Sequence, residues 1–167
     1  MAGALIVTAE IGPPDRSWLE ALRQANYPRE RNQVPVHLTI FHALPPSAET
    51  ELRTRLARTV RRPRPRATIA GLMDLGGGVA LRIVSPDLDS IRQELAEDLQ
   101  GLLSVQDVGG WRPHITVQNK VPAKLARALK DKLERNFEPR PLAISGLGLQ
   151  RYLGGPWESL ALYPFRS

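Results

Sequence analysis

Two tripeptides hold the side chains of this 167-residue chain best suited to chemistry: His37-Leu38-Thr39 and His114-Ile115-Thr116. Alternate side chains of an extended strand share a face, so each tripeptide presents one imidazole and one hydroxyl together. If both reach one cleft, the imidazoles can divide the work of base and acid, because a reference pKa of about 6.5 lets one ring be neutral while the other is protonated at neutral pH. The hydroxyls add donors for charge on a reacting group. Arg112, two residues before His114, reads either as sharing its strand face and offering a cationic donor to an anionic ligand or as a solvent-facing arginine beside Pro113, whereas Pro35 holds that place before His37. His42 lies five residues after His37, which predicts the opposite strand face, and its replacement by Asn119 after His114 argues against a part in catalysis. Trp111 reads either as core or as a surface for stacking on a base; Trp18 and Trp157 are assigned to packing.

The tripeptides belong to an internal repeat. Set against each other at an offset of 77 without a gap, residues 37–84 and 114–161 match at His37/His114, Thr39/Thr116, Pro45/Pro122, Leu52/Leu129, Leu56/Leu133, Arg58/Arg135, Gly71/Gly148, Leu72/Leu149, Gly77/Gly154 and Gly78/Gly155. Average composition gives roughly three such matches, and these fall on strand, helix face and hairpin turn.

The elements that must position these residues follow from periodicity and punctuation. Residues 4–11 read as a buried strand closed by Gly12-Pro13-Pro14, and a helix capped by Asp15 runs to Asn26 with Trp18, Leu19 and Leu22 on one face. A strand over 36–43 precedes a helix opened by Ser47, carrying Leu52, Leu56 and Val60, that cannot pass Pro63 and Pro65. Strands over 66–75 and 79–84 flank Gly76-Gly77-Gly78, which reads as a hairpin turn. Ser85-Pro86-Asp87 opens a helix bearing Ile91, Leu95, Leu99 and Leu102. A strand from His114 to Val117, a helix over 122–137 and a hairpin around Gly154-Gly155 complete the order. The expected fold is α/β (α+β): a single bilobal domain over 1–167, built from a duplicated unit, with two pseudo-twofold-related lobes of mainly antiparallel sheet, helices outside and a central cleft.

Composition narrows the function. With 42% apolar and 24% charged residues the chain is globular, and with no cysteine it has no disulfide, thiolate metal site or cysteine nucleophile. Three histidines without a cysteine or carboxylate cluster do not assemble a metal shell, and there is no Gly-x-x-x-x-Gly-Lys-Ser/Thr loop for a nucleoside triphosphate. The apolar start is broken by Thr8 and Glu10, so neither a signal peptide nor a membrane span is expected, and the protein reads as a cytoplasmic monomer. The net charge is +6, and seven arginines lie between Arg53 and Arg66. They mark either a polyanionic partner or a solvated helix face.

His37-Leu38-Thr39-Ile40 and His114-Ile115-Thr116-Val117 resemble the paired motifs of the two-histidine (2H) phosphoesterase superfamily. The opening strand, Pro45 and Pro122 eight residues after each histidine, and Gly155-Pro156-Trp157-Glu158 are similar to the 2′-5′ RNA ligase-like branch. The resemblance implies a bilobal α/β fold and a reaction free of metal and cofactor. Its substrates would be RNA ends bearing 2′,3′-cyclic phosphates, 2′-5′ linkages or small cyclic nucleotides. It implies His37 and His114 as the catalytic pair and Thr39 and Thr116 on the phosphate, with ligation of a 5′-hydroxyl to a cyclic phosphate as the reverse reaction. The pseudo-symmetry leaves open which histidine is the base. Two rival readings remain: a non-catalytic RNA-binding module, and a phosphoesterase for a small non-RNA cyclic phosphate.

Overall fold

Leu5–Ile11 forms strand β1, whose short run of apolar and β-branched residues is buried along nearly its whole length. In the computed structural model, which describes residues 3–167, it is followed by helix α1 (Pro13–Asn26), strand β2 (Leu38–Leu44), helix α2 (Glu49–Thr59), strands β3 (Arg66–Asp74) and β4 (Val79–Val84) and helix α3 (Pro86–Asp98). A four-residue helix α4 (Val105–Val108), strand β5 (His114–Gln118), helix α5 (Ala123–Glu134) and strands β6 (Arg140–Tyr152) and β7 (Trp157–Pro164) complete the order. No helix among the described residues is long and apolar enough to cross a membrane.

Every strand pair is antiparallel, in the order β2-β1-β6-β3-β4-β5, with β7 also on β6. Thirteen residues long, β6 serves two half-sheets: Arg140–Ala143 pair with β3, whereas from Ile144 onward the strand pairs with β1 and, from Gly146, with β7. The end strands β2 and β5 nevertheless touch each other. The sheet is therefore curled, and the two strands that carry the His-x-Thr tripeptides meet across its mouth.

The α/β architecture agrees with the sequence reading, and the differences lie at element ends, within β2 and at α4, a helix absent from that reading. Helix α3 stops at Asp98, short of Leu99 and Leu102, and α2 stops at Thr59, short of Val60. Helix α1 begins at Pro13 with Gly12 as its N-cap, and Asp15 does not cap it: its carboxylate accepts the Ala143 N–H at 2.8 Å and the Trp18 indole N–H at 3.1 Å. Ser47 sits in a single 3-10 turn (Pro46–Ala48) ahead of α2, and α5 stops at Glu134. Ser85 caps α3 as expected, its hydroxyl accepting the Leu88 N–H. The β3–β4 turn closes through the Leu75 N–H to the Gly78 carbonyl, with Gly76 at φ +82° where a side chain would be strained.

Strand β2 is bulged. Thr39 pairs with Thr8, Phe41 with Val7 and Leu44 with Leu5, so β2 spends extra residues against the same stretch of β1. Ile40 and Phe41 are consequently both buried, and the alternation changes phase after them. His42 then faces the same side as Thr39, which overturns the opposite-face expectation.

Candidate active site

His37 immediately precedes β2 and His114 begins β5. Each ring is anchored alike: the Nδ1–H of His37 donates to the Pro35 carbonyl at 2.9 Å, and that of His114 to the Arg112 carbonyl at 2.8 Å. A carbonyl only accepts, so both neutral rings carry their proton on Nδ1 and leave Nε2 as the free nitrogen. His37, Thr39, His114, Thr116 and Arg112 all line one cavity of about 570 Å³, which the sheet mouth opens to solvent. A larger groove, about 1030 Å³, lies between α1, α5 and the start of β6, but its walls, such as Trp18, Leu133, Phe137 and Pro139, include no histidine or hydroxyl side chain.

Burial pushes the His37 imidazole down to about 4, from an ordinary value near 6.5. The Pro35 carbonyl opposes this, and positive charge at Arg23, His114 and His42 adds to it. Trp157 closes one side of the ring, with centroids 4.6 Å apart and planes tilted by 54°. His37 is therefore neutral at pH 7, while part of its surface still reaches the cavity.

Each motif strand is tied by a helix from elsewhere in the chain. From α1, the buried Arg23 donates from Nη1 to the Thr116 carbonyl at 2.9 Å and from Nε to Asn32 Oδ1 at 2.8 Å, with its guanidinium over the Tyr27 ring. From α3, Arg92 donates from Nε to the Ile40 carbonyl at 3.0 Å and from Nη2 to the Asp107 carbonyl at 2.7 Å. The Trp111 indole N–H donates to the Thr39 carbonyl at 3.0 Å. Charge-assisted donors on main-chain carbonyls beside both threonines hold the backbone under the site.

Some residues lie elsewhere than the sequence suggests. Trp157, assigned to packing, lines the cavity because the β6–β7 turn returns it against His37. Trp111 both packs on the core and forms cavity wall. Trp18 is remote from the site, beneath the Arg140 guanidinium. None of the arginines from Arg53 to Arg66 lines the cavity, where Arg23 and Arg31 join Arg112 instead. Nothing in the sequence pattern singles out Arg23, Arg31 or Tyr27, because their approach depends on how α1 packs against β5.

The sequence profile of the 2′-5′ RNA ligase superfamily matches residues 11–156. The chain belongs to the 2′-5′ RNA ligase superfamily. Solved structures agree in fold. That of TT0787 from Thermus thermophilus has a TM-score of 0.69 at 18% identity, covering 98% of both chains. Escherichia coli LigT in complex with 3′-AMP has a TM-score of 0.62 at 16% identity over 100% of both chains, and a structure described as a phosphoesterase gives 0.61 at 18% over 99% of both. No curated protein matches in sequence. Superfamily membership supports a phosphoesterase or ligase-like enzyme.

Proposed function

We propose that this member of the superfamily opens 2′,3′-cyclic phosphate ends of RNA by metal-independent general acid–base catalysis. The observation that carries the reading is the pair of histidines with identically fixed tautomers, lining one cavity with two threonines. His37, held neutral by burial, takes the proton of the attacking water on Nε2. As the new O–P bond forms, the P–O bond to one ribose oxygen breaks, and His114, entering protonated, supplies the proton that oxygen needs. Thr39, Thr116 and Arg112 donate to the non-bridging oxygens. By microscopic reversibility, a 5′-hydroxyl in place of water runs the step backwards as ligation. Residues 37–84 and 114–161 are read as two copies of one unit in a single bilobal domain. The matched histidine anchors support this, as does the bonding of Asp87 to the Arg66 N–H and of Asp15 to the Ala143 N–H, both at 2.8 Å.

The test is turnover of 2′,3′-cyclic mononucleotides, cyclic-ended oligoribonucleotides and 2′-5′ dinucleotides, with and without chelator. Each of His37→Ala and His114→Ala should lose about 10²–10⁴-fold, and the double variant should be scarcely worse than either. Multiplicative losses, near-normal turnover in a folded single variant, or activity that chelation removes and metal restores would overturn the mechanism. RNA binding without turnover would mark a binding module instead.

A further inference from the structure

The cavity is nearly symmetric in its reactive groups and asymmetric one step away from them. Val34, His37, Thr39 and His42 line it from one motif, and Trp111, His114, Thr116 and Asn119 line it from the other at the same offset of 77. The pairs at 37/114 and 39/116 are identical. A ribose 2′,3′-cyclic phosphate presents two similar leaving oxygens to two similar histidines, so His37 and His114 by themselves do not decide which oxygen lies beside the acid. The pair at 42/119 differs in chemistry as well as in type.

His42 is held by a built carboxylate. Asp107, whose side chain has 0% exposure, accepts the His42 and Ala43 backbone N–H groups at 2.9 and 3.1 Å, the Ser104 hydroxyl at 3.2 Å and the His42 Nδ1–H at 3.0 Å. Every acceptor direction of the carboxylate is thus engaged from β2 or from the start of α4, and the histidine cannot turn its ring without leaving a buried charge short of a donor. With Nδ1 committed, Nε2 is the nitrogen left to a ligand, and the side chain is 35% exposed on the cavity. Asn119 instead spends its Oδ1 on the Lys120 N–H at 2.9 Å. One end of the site therefore offers a preoriented imidazole where the other offers a neutral amide.

We propose that His42, oriented by Asp107, contacts the nucleotide beyond the reacting phosphate and fixes which way round a ribonucleotide 2′,3′-cyclic phosphate lies, and hence which P–O bond breaks. Breaking P–O2′ leaves a 3′-phosphate and breaking P–O3′ leaves a 2′-phosphate. In both, water supplies the oxygen that joins phosphorus, and the departing ribose oxygen gains a proton. The inference rests on the cyclic phosphodiesterase reading above.

The decisive variant is His42→Asn, which places the same residue at 42 and 119 and keeps an amide N–H for Asp107. The measurement is the ratio of 2′- to 3′-phosphate products from a cyclic-ended dinucleotide, taken alongside thermal melting. The wild type should give one isomer in large excess, and His42→Asn should move the ratio about tenfold toward parity, the size expected for loss of one hydrogen bond to an anionic or polar group. A merely structural His42 would lower stability and leave the ratio where it was. Should the Asn variant fail to fold, His42→Gln gives the same readout. Turnover with an unchanged ratio, or a wild type that yields both isomers equally, would overturn the role of His42 and leave the phosphodiesterase reading standing. A wild type that opens no cyclic phosphate would remove both.

Discussion

His37 and His114 commit the same nitrogen to the same kind of acceptor, and burial draws His37 far below its ordinary titration. For activity, the free enzyme should keep its base neutral down to about pH 4, so the acid limb of kcat/KM should lie well below the reference value of about 6.5. A bound phosphate anion favours the imidazolium, so the corresponding limb of kcat should move to higher pH. Coincident limbs near pH 6.5 in both profiles would contradict this. For stability the sign is equally definite. The unfolded ring takes up its proton near pH 6.5 and the folded ring only near 4, so the fold loses stability as pH falls between those values. His37→Gln should flatten that part of a melting-temperature profile, and an unchanged slope would show that His37 is not held neutral.

The short helix α4 shows how an element too small to notice can set a site. Asp107→Ala would strip acceptors from two β2 amides and the His42 ring, and should cost about 2–4 kcal/mol. Denaturant melts should show this as a lower midpoint with an unchanged slope. A loss below that of Ser104→Ala would mean the bulge stands without the carboxylate. Much of the element order was legible in the sequence. Residues 79–84 form β4 as read, Ser85-Pro86-Asp87 opens α3, and the glycines at 76–78 and 154–155 turn hairpins, because in each the local pattern and the tertiary fold agree. Helix α4 was not legible, since four residues are too few for helical periodicity to register. Nor was the face of His42. A strand read by strict alternation has no place for a bulge, and Ile40-Phe41, both apolar, conceals the change of phase. At the site the paired motif and its flanking arginine supplied five of the residues that line the cavity, whereas Arg23 and Trp157 reach it through helix and hairpin placements that no local spacing encodes.

Across the whole molecule, the arginine cluster from Arg53 to Arg66 lies apart from the reactive groups. Arg53, Arg55 and Arg62 are paired with Glu49, Glu51, Asp98 and Glu94, whereas Arg58, Arg61, Arg64 and Arg66 are exposed. If this surface guides RNA, the affinity of a long oligoribonucleotide should fall steeply with salt, and replacing Arg58, Arg61 and Arg64 by Ala should reduce the slope by about 0.7 for each phosphate that is no longer neutralised. A cyclic mononucleotide, confined to the cavity, should show the weaker slope in both proteins, and equal slopes for the two ligands would mark the arginines as a solvated face. The pairing of β1 has a different consequence, one that concerns time. Its two neighbours are β2, close behind it in the chain, and β6, where Ile11 meets Ile144 and Leu5 meets Arg151. Translation at ordinary rates leaves on the order of ten seconds between the emergence of β1 and that of its second partner. Throughout that interval the most thoroughly buried strand of the protein has one open edge, which makes the nascent chain, rather than the finished enzyme, the form that needs a chaperone's protection.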